Sequence, residues 1–513
     1  ADRVFVHHDR RSVSRPPSVV AAREAIFPNP HPSIPFLKKF SALPEALFQG
    51  VLPIFAEGGL KFLCLICNRK PLVRSLSLLL LMMASRECDE WIENPLDQRE
   101  LWALIPTLPM FVVSIAALKR NSAILREVKE AAGCHLVLAL KGFSCWKAFP
   151  ALRDDLDGCC ASGLWEATLA REHFRKHVIT YSPAYDEADI TALCEFTHHL
   201  DFNSLSQWFR FRAQVMAHPR FASGELQCGL RINPECSTGH TPIYDPCVAG
   251  SRLGITADQL AGADLSGISG LHFHTLCEQN SDDLEKTLVA VDEKFGHLLR
   301  SPQFTYLNMG GGHWITKPFY DRERLIRLVR EAREKFGVEV WLEPGEAVAI
   351  HSGVLRATVM DVFKSAGHHL AILDISATAH MPDVMEMPYR PDVYLVDAGA
   401  STGRPAVMLK NENYHLAGDP SAPGAMPKSL EASHTYRLGG PTCLAGDVIG
   451  DYSFPRALRV GDTLVFDDMA HYTMVKTTTF NGVKHPAIAL QHENGEVEVV
   501  REFRYEDFEA RLS

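Results

Sequence analysis

The stretch MFVVSIAALKRNSAILREVKEAAGCHLVLALK (110–141) decides the architecture. It opens with a short apolar run that reads as a strand ending at Val112 and Val113. Ser114 follows, a residue type that caps helix N-termini, and Ile115, Leu118, Leu125, Val128 and Ala132 then recur on one helical face. Gly133 supplies the stop, and HLVLAL (135–140) is a second strand candidate. Further strand candidates lie downstream at 226–232, 267–273, 304–308 and 338–342, with helical segments between them. One helix, at 282–295, carries Leu284, Leu288, Val291 and Phe295 on one face. Another, at 321–336, carries Leu325, Leu328, Val329, Ala332 and Phe336, with Gly337 after it. Repeated βα units across about 230 residues predict an α/β fold with a parallel sheet, and at this length a (β/α)8 TIM barrel.

Beyond about residue 352 helical spacing becomes scarce. Residues 354–363, 370–375, 463–466 and 473–480 read as strands, and Asn494-Gly495 between IALQ and VEVV marks a hairpin. The expected organisation is a barrel over 105–350 and a C-terminal β domain over 351–513. That β domain also takes in the strand before the barrel.

Residues 1–100 read as an N-terminal extension. The first 40 are rich in Arg, Ser, Pro and His without periodicity, which suits either an organelle transit segment or sequence ahead of a true start at Met82 or Met83. The run from Leu76 to Met83 is too short to span a bilayer, so no membrane is expected. Cys64 and Cys67 form a lone pair with no second pair to close a zinc site, and no metal is expected. Thirteen cysteines without a framework spacing point to a reducing compartment, the cytoplasm unless the extension is a transit peptide. Residues 1–86 hold 12 Lys or Arg against 5 Asp or Glu, so a chain of net charge −10 carries −17 over the remainder. An acidic body disfavours nucleic acid and suits a cationic substrate.

Four polar features follow strand candidates and should share the C-terminal rim of the barrel, where active sites form: Lys141, His274, the triplet Gly310-Gly311-Gly312, and Glu343 before Pro344-Gly345. Each has an ordinary reading as well: a solvated lysine, a core histidine, a turn, a turn cap. The functional reading takes a desolvated amine suited to Schiff-base chemistry, a flat ring for stacking, bare amides for a phosphate, and a carboxylate for a ring nitrogen. The loop GGPTCLAGD (439–447) places a thiol, Cys443, beside a carboxylate, Asp447; a free buried cysteine is the alternative. Tyr472 is either a core residue or a phosphate donor.

The ordered set LALKGFS, CASGLWE, GLHFH, NMGGGH, EPGE, GGPTCLAGD and DDMAHYT resembles the fold-type III pyridoxal-phosphate (PLP) decarboxylases over about 105–510. That family includes ornithine, diaminopimelate and carboxynorspermidine decarboxylases. The resemblance implies PLP as cofactor and a homodimer with shared active sites. It implies that Lys141 binds the cofactor aldehyde and His274 stacks on the pyridine ring. Gly310, Gly311, Gly312 and Tyr472 would hold the phosphate, Glu343 the ring nitrogen, and Cys443 would be the acid that enters the partner's site. Two departures point to a branch. Glu346 stands where ornithine- and diaminopimelate-type enzymes usually have Arg, and Leu444 where the ornithine type has Asp. HMPDVMEMPYRP (380–391) and GGPTCLAGDVIGDY (439–452) are similar to the carboxynorspermidine decarboxylase branch. Its substrate, a small cationic carboxylated polyamine, would meet Glu346, Asp383, Glu386 and Asp447. Diaminopimelate or basic amino-acid decarboxylation is the nearest alternative. A non-catalytic homologue is disfavoured by retention of Lys141 and Cys443, and a racemase by the GGPTC loop.

Overall fold

The computed structural model describes residues 109–239, 241–386, 390–396, 403–405, 407–408 and 434–513. The expectations on residues 1–100, including Cys64 and Cys67, lie outside them. β1 (Met110–Ser114) runs into α1 (Ile115–Ala132). Ser114 caps this helix by accepting from the Ala117 amide, and Gly133, at φ 67°, closes it. β2 (His135–Ala139), β3 (Gly158–Ala161), β4 (His177–Tyr181), β5 (His199–Phe202), β6 (Gln227–Arg231), β7 (Gly270–His272), β8 (Tyr306–Asn308) and β9 (Glu339–Leu342) form a closed parallel barrel. The ring closes where His135 and Leu136 pair with Trp341 and Leu342. α2 (Ser281–Leu299) and α3 (Arg322–Phe336) bury the apolar faces read from the sequence: Leu284, Val291 and Phe295 on one, Leu325, Leu328, Val329 and Phe336 on the other.

The barrel floor is aromatic. Trp341 lies between His135 and His177 at centroid distances of 4.2 and 4.4 Å, His177 stacks on His198, and His199 stacks on Tyr306 at 4.1 Å.

The second body is an 11-stranded sheet assembled from both ends of the described chain. β1 pairs antiparallel with β10 (Gly353–Ser365) and parallel with β11 (Ala487–Gln491). The strand before the barrel therefore belongs to the sheet, as expected. β11 forms the hairpin with β12 (Val497–Arg501) across Asn494-Gly495. Two short helices, α4 (Ala377–His380) and α5 (Asp383–Glu386), precede the strands of its far half.

One strand expectation fails. Residues 473–480 are turn and irregular chain running into a 3-10 turn at Phe480, not a strand. Their β-branched threonines mimic strand composition, but their amides go elsewhere: Lys476 N–H to Tyr472 O, and Thr478 N–H to Ala379 O. Among the described residues, no helix is long and apolar enough to cross a membrane.

Candidate active site

The loops after β2, β7, β8 and β9 bring Lys141, His274, Gly310 to Gly312 and Glu343 to one end of the barrel. Lys141, His274, Gly312, Glu343, Glu346, Asp383 and Tyr472 all line a cavity of about 640 Å³. Its wall continues onto the sheet body through Asp467 and Asp468.

Lys141 is held by close loop packing. Ala139 N–H donates to Pro344 O at 3.0 Å, and a Cβ on Gly142 would lie 2.9 Å from Gly345 Cα. The side chain is exposed to the cavity. Burial, and then the Arg231 guanidinium, push its pKa down, which favours a nucleophilic amine. Arg231 itself donates to His274 O and lies over the Tyr181 ring.

Glu343 is buried. Asn308 Nδ2 donates to its Oε1 at 2.6 Å. On its other side His272, 1% exposed, has Nε2 3.6 Å from Glu343 Oε2 and Nδ1 3.1 Å from Asp201 Oδ2. Tyr306 OH donates to the second Asp201 oxygen at 2.7 Å. A line of buried polar groups thus runs from the cavity base into the barrel centre.

His274 is neutral, because burial and then Lys141 lower its pKa well below the usual value. Gly311 N–H donates to its Nδ1 at 2.9 Å, which leaves the proton on Nε2. The triplet is more committed than the sequence suggested. Gly310 N–H already donates to Asn308 Oδ1, and of the three only Gly312 lines the cavity. Glycine is required here for packing. Gly310 and Gly312 have φ of 68° and 85°, and a Cβ on any of the three would run into the carbonyl oxygen of Phe273, Glu343 or Leu276. Nor does a helix start directly behind the triplet, since α3 begins at Arg322.

Tyr472 sits at φ 42°, its amide donating to Gly142 O at 2.8 Å, so the sheet body places it beside Lys141. Burial raises its pKa, which keeps the hydroxyl a donor. Glu346 accepts from Trp314 Nε1 at 2.9 Å and lies 3.9 Å from Lys317 Nζ. Asp383 and Glu386, on α5, both meet Lys476 Nζ.

Besides Gly310 and Gly311, three predicted residues lie outside the cavity lining: Glu386, Asp447 and Cys443. Asp447 does not line the cavity. It is 4% exposed and accepts from Ser376 Oγ at 2.9 Å and Thr442 Oγ1 at 2.7 Å, so it ties its own loop together. Cys443 is exposed, with its amide donating to Asn481 Oδ1, and also lies outside the cavity lining of its own chain.

The cavity also holds residues that sequence reading passed over: Glu166, Glu278, Lys317, His471 and Lys476. Of these, Glu166 and His471 sat inside quoted motifs, CASGLWE and DDMAHYT. Burial, and then Glu346, raise the Glu278 pKa to about 7. His471 is pulled up to about 9: burial opposes its charge, but the Asp468 carboxylate 3.1 Å away overcomes that.

A parallel barrel whose rim carries a lysine of lowered pKa facing the cavity, a neutral imidazole and a buried carboxylate defines an enzyme of the PLP class. The donor set fits that cofactor: amine for aldehyde, carboxylate for ring nitrogen, flat ring for stacking, phenol for phosphate. Comparison with known proteins agrees. Residues 110–470 match the family model described as pyridoxal-dependent decarboxylase, C-terminal sheet domain. The chain is 44% identical over 405 residues to a carboxyaminopropylagmatine decarboxylase of Synechocystis, covering 79% of this chain and 95% of that protein. It is 40% identical to a carboxynorspermidine/carboxyspermidine decarboxylase of Campylobacter jejuni, covering 79% and 98%. The crystal structure of carboxynorspermidine decarboxylase from Campylobacter jejuni complexed with norspermidine superposes with a TM-score of 0.67 at 39% identity, covering 79% and 99%. The chain belongs to the pyridoxal-dependent decarboxylases, and is a carboxy-lyase of that family.

Proposed function

We propose that this enzyme decarboxylates carboxynorspermidine, carboxyspermidine or both, releasing norspermidine or spermidine. Charge carries the reading. The residues lining the cavity include eight Asp or Glu against four Lys or Arg. A substrate with ammonium groups along its chain supplies the missing positive charge, whereas the second carboxylate of diaminopimelate would add to the excess. The relatives of Campylobacter jejuni and of Herminiimonas arsenicoxydans, the latter 30% identical, act on such substrates by name.

PLP, when bound, supplies the electron sink for the pair left at Cα as CO2 departs. Lys141 offers the amine for its aldehyde. His274 presents the flat ring, and Glu343, fixed by Asn308, holds the pyridine proton. Gly312 and Tyr472 donate to the phosphate, with Gly310 and Gly311 shaping the loop. Glu346, Asp383 and Glu386 receive the distal ammonium groups. The enzyme works as a homodimer in which the partner subunit's Cys443 returns a proton to Cα as general acid. An exposed thiol outside its own cavity is what that arrangement needs. Ten free cysteines without a disulfide among the described residues suit a cytoplasmic enzyme.

A second reading is carboxyaminopropylagmatine, named for the relative at 44% identity, because a guanidinium end also pairs well with carboxylates. The test is CO2 release by the PLP-loaded enzyme on the three carboxylated polyamines, diaminopimelate and ornithine. At least one polyamine should exceed diaminopimelate and ornithine by about a hundredfold or more in kcat/KM. Equal or reversed ratios overturn the proposal, and the best polyamine decides between the two readings.

A further inference from the structure

Asp383 and Glu386 already hold a cation. Lys476 Nζ donates to Asp383 Oδ1 and lies 3.1 Å from Glu386 Oε2. Tyr244 OH is 3.4 Å from the same Glu386 oxygen. Asp383, Tyr244 and Lys476 all line the cavity that Lys141 opens onto. We infer that Lys476 is a specificity-determining residue, an internal ammonium that occupies the amine-binding carboxylates until a substrate ammonium takes its place.

Three observations support exchange over a fixed structural bridge. First, the backbone at Lys476 is anchored without its side chain. Tyr472 N–H bonds Gly142 O, Lys476 N–H bonds Tyr472 O, and Thr478 N–H bonds Ala379 O. Second, the side chains are reached by solvent, Lys476 at 32% and Glu386 at 50% exposure. A pair this open is weakly held, so a competing cation can enter. Third, Asp383 is 8% exposed, and a buried carboxylate without a cation is costly. Swapping one ammonium for another never leaves it bare. A ligand whose far end is neutral or anionic cannot make that swap. The residue thus weakens binding of every ligand that needs the clamp, and admits only those bringing a cation of their own.

The inference rests on the amine-binding reading of Asp383 and Glu386, and the experiment separates the two. Binding of norspermidine and of pentylamine, which has no distal cation, is measured by calorimetry on the PLP-loaded enzyme. If Lys476 covers the carboxylates about nine-tenths of the time, removing it raises the competent fraction about tenfold. Lys476→Met and Lys476→Gln should each tighten norspermidine about tenfold and leave pentylamine unchanged, while Lys476→Arg stays near wild type. Two substitutions guard against a misfolded variant, and circular dichroism identifies one. Norspermidine binding that is unchanged or weaker in the folded variants overturns the inference, as does equal tightening of pentylamine. Asp383→Asn and Glu386→Gln supply the other arm. Each should weaken norspermidine about tenfold or more. If both bind it as wild type does, the amine-binding reading itself falls, and the role of Lys476 with it.

Discussion

At the floor of the barrel, His135, His177, His198 and His199 stack among themselves and on Trp341 and Tyr306. Higher up, His272 in the barrel centre lies near Asp201 and Glu343, and His274 at the mouth accepts from the Gly311 amide. One residue type serves two purposes within a single barrel. On the floor His198 Nδ1 accepts from Val178 N–H and His135 Nδ1 lies 3.8 Å from Asp157, but His177 and His199 serve as flat filler, and burial lowers the pKa of His177 to about 3 and of His199 well below its usual value. At the mouth imidazole nitrogens orient the groups that face the cavity. Depth in the barrel separates the two uses, since single histidines of both kinds lie in or beside strands.

Substitutions at the mouth should abolish chemistry and spare the fold, and the largest effect belongs to Lys141→Ala. It should remove the absorbance band of bound PLP and lower CO2 release by about a thousandfold or more, with an unchanged circular dichroism spectrum. A variant retaining a tenth of wild-type activity would undo the central assignment. Glu343→Gln keeps the shape and its hydrogen bond from Asn308 but loses the negative charge at the cavity base. Turnover should fall about 10²–10³-fold while PLP still binds, as spectra and CO2 assays will report.

Cys443→Ala and Lys141→Ala chains, dissociated together and reassembled, give half mixed dimers under random pairing, each with one site intact. Activity should return to about a quarter of wild type. With subunit exchange shown by a mass tag, no recovery would rule out the intersubunit role of Cys443.

The floor should behave in the opposite way, costing stability and not chemistry. His177 is neutral when folded and protonates near 6.5 when unfolded, so the unfolded state gains protons first as pH falls. Its contribution is intact above pH 6.5 and is lost progressively from there toward pH 3. At pH 5 the loss is ~2 kcal/mol. His177→Phe should therefore flatten the fall in melting temperature between pH 7 and pH 5 while kcat at pH 7.5 stays within about twofold. If the melting curves of variant and wild type shift in parallel, the floor is not where acid acts.

How much of this was legible depended on whether the signal was local. Ser114, Gly133 and the face from Ile115 to Ala132 fixed α1 because cap, stop and period lie within one turn of what they control. The rim residues were legible because each follows an apolar run. Lys476 was not, since its carboxylate partner is 93 residues away and nothing near it marks a clamp. The same limit made 473–480 read as a strand: threonine composition is visible, but the destination of an amide is not. The hydrogen bond that Asp447 accepts from Ser376 was not legible either, because that partner lies 71 residues away. Asp201 and His272 went unremarked because a polar line through a barrel centre forms only when several strands close.

The pairing of β1 with β11 has a consequence for biosynthesis. Ser114 lies opposite Gln491, 377 residues later, and β10 flanks the same strand on its other edge. A chain leaving the ribosome can assemble all eight barrel strands before β11 exists. Until then one edge of MFVVS stays without a partner, an apolar strand able to pair with a neighbouring nascent chain. The sheet is thus sealed only once β11 has emerged. Shortening the chain by its final thirty or so residues should yield aggregates rather than a smaller soluble enzyme, because the piece removed covers an edge made at the start.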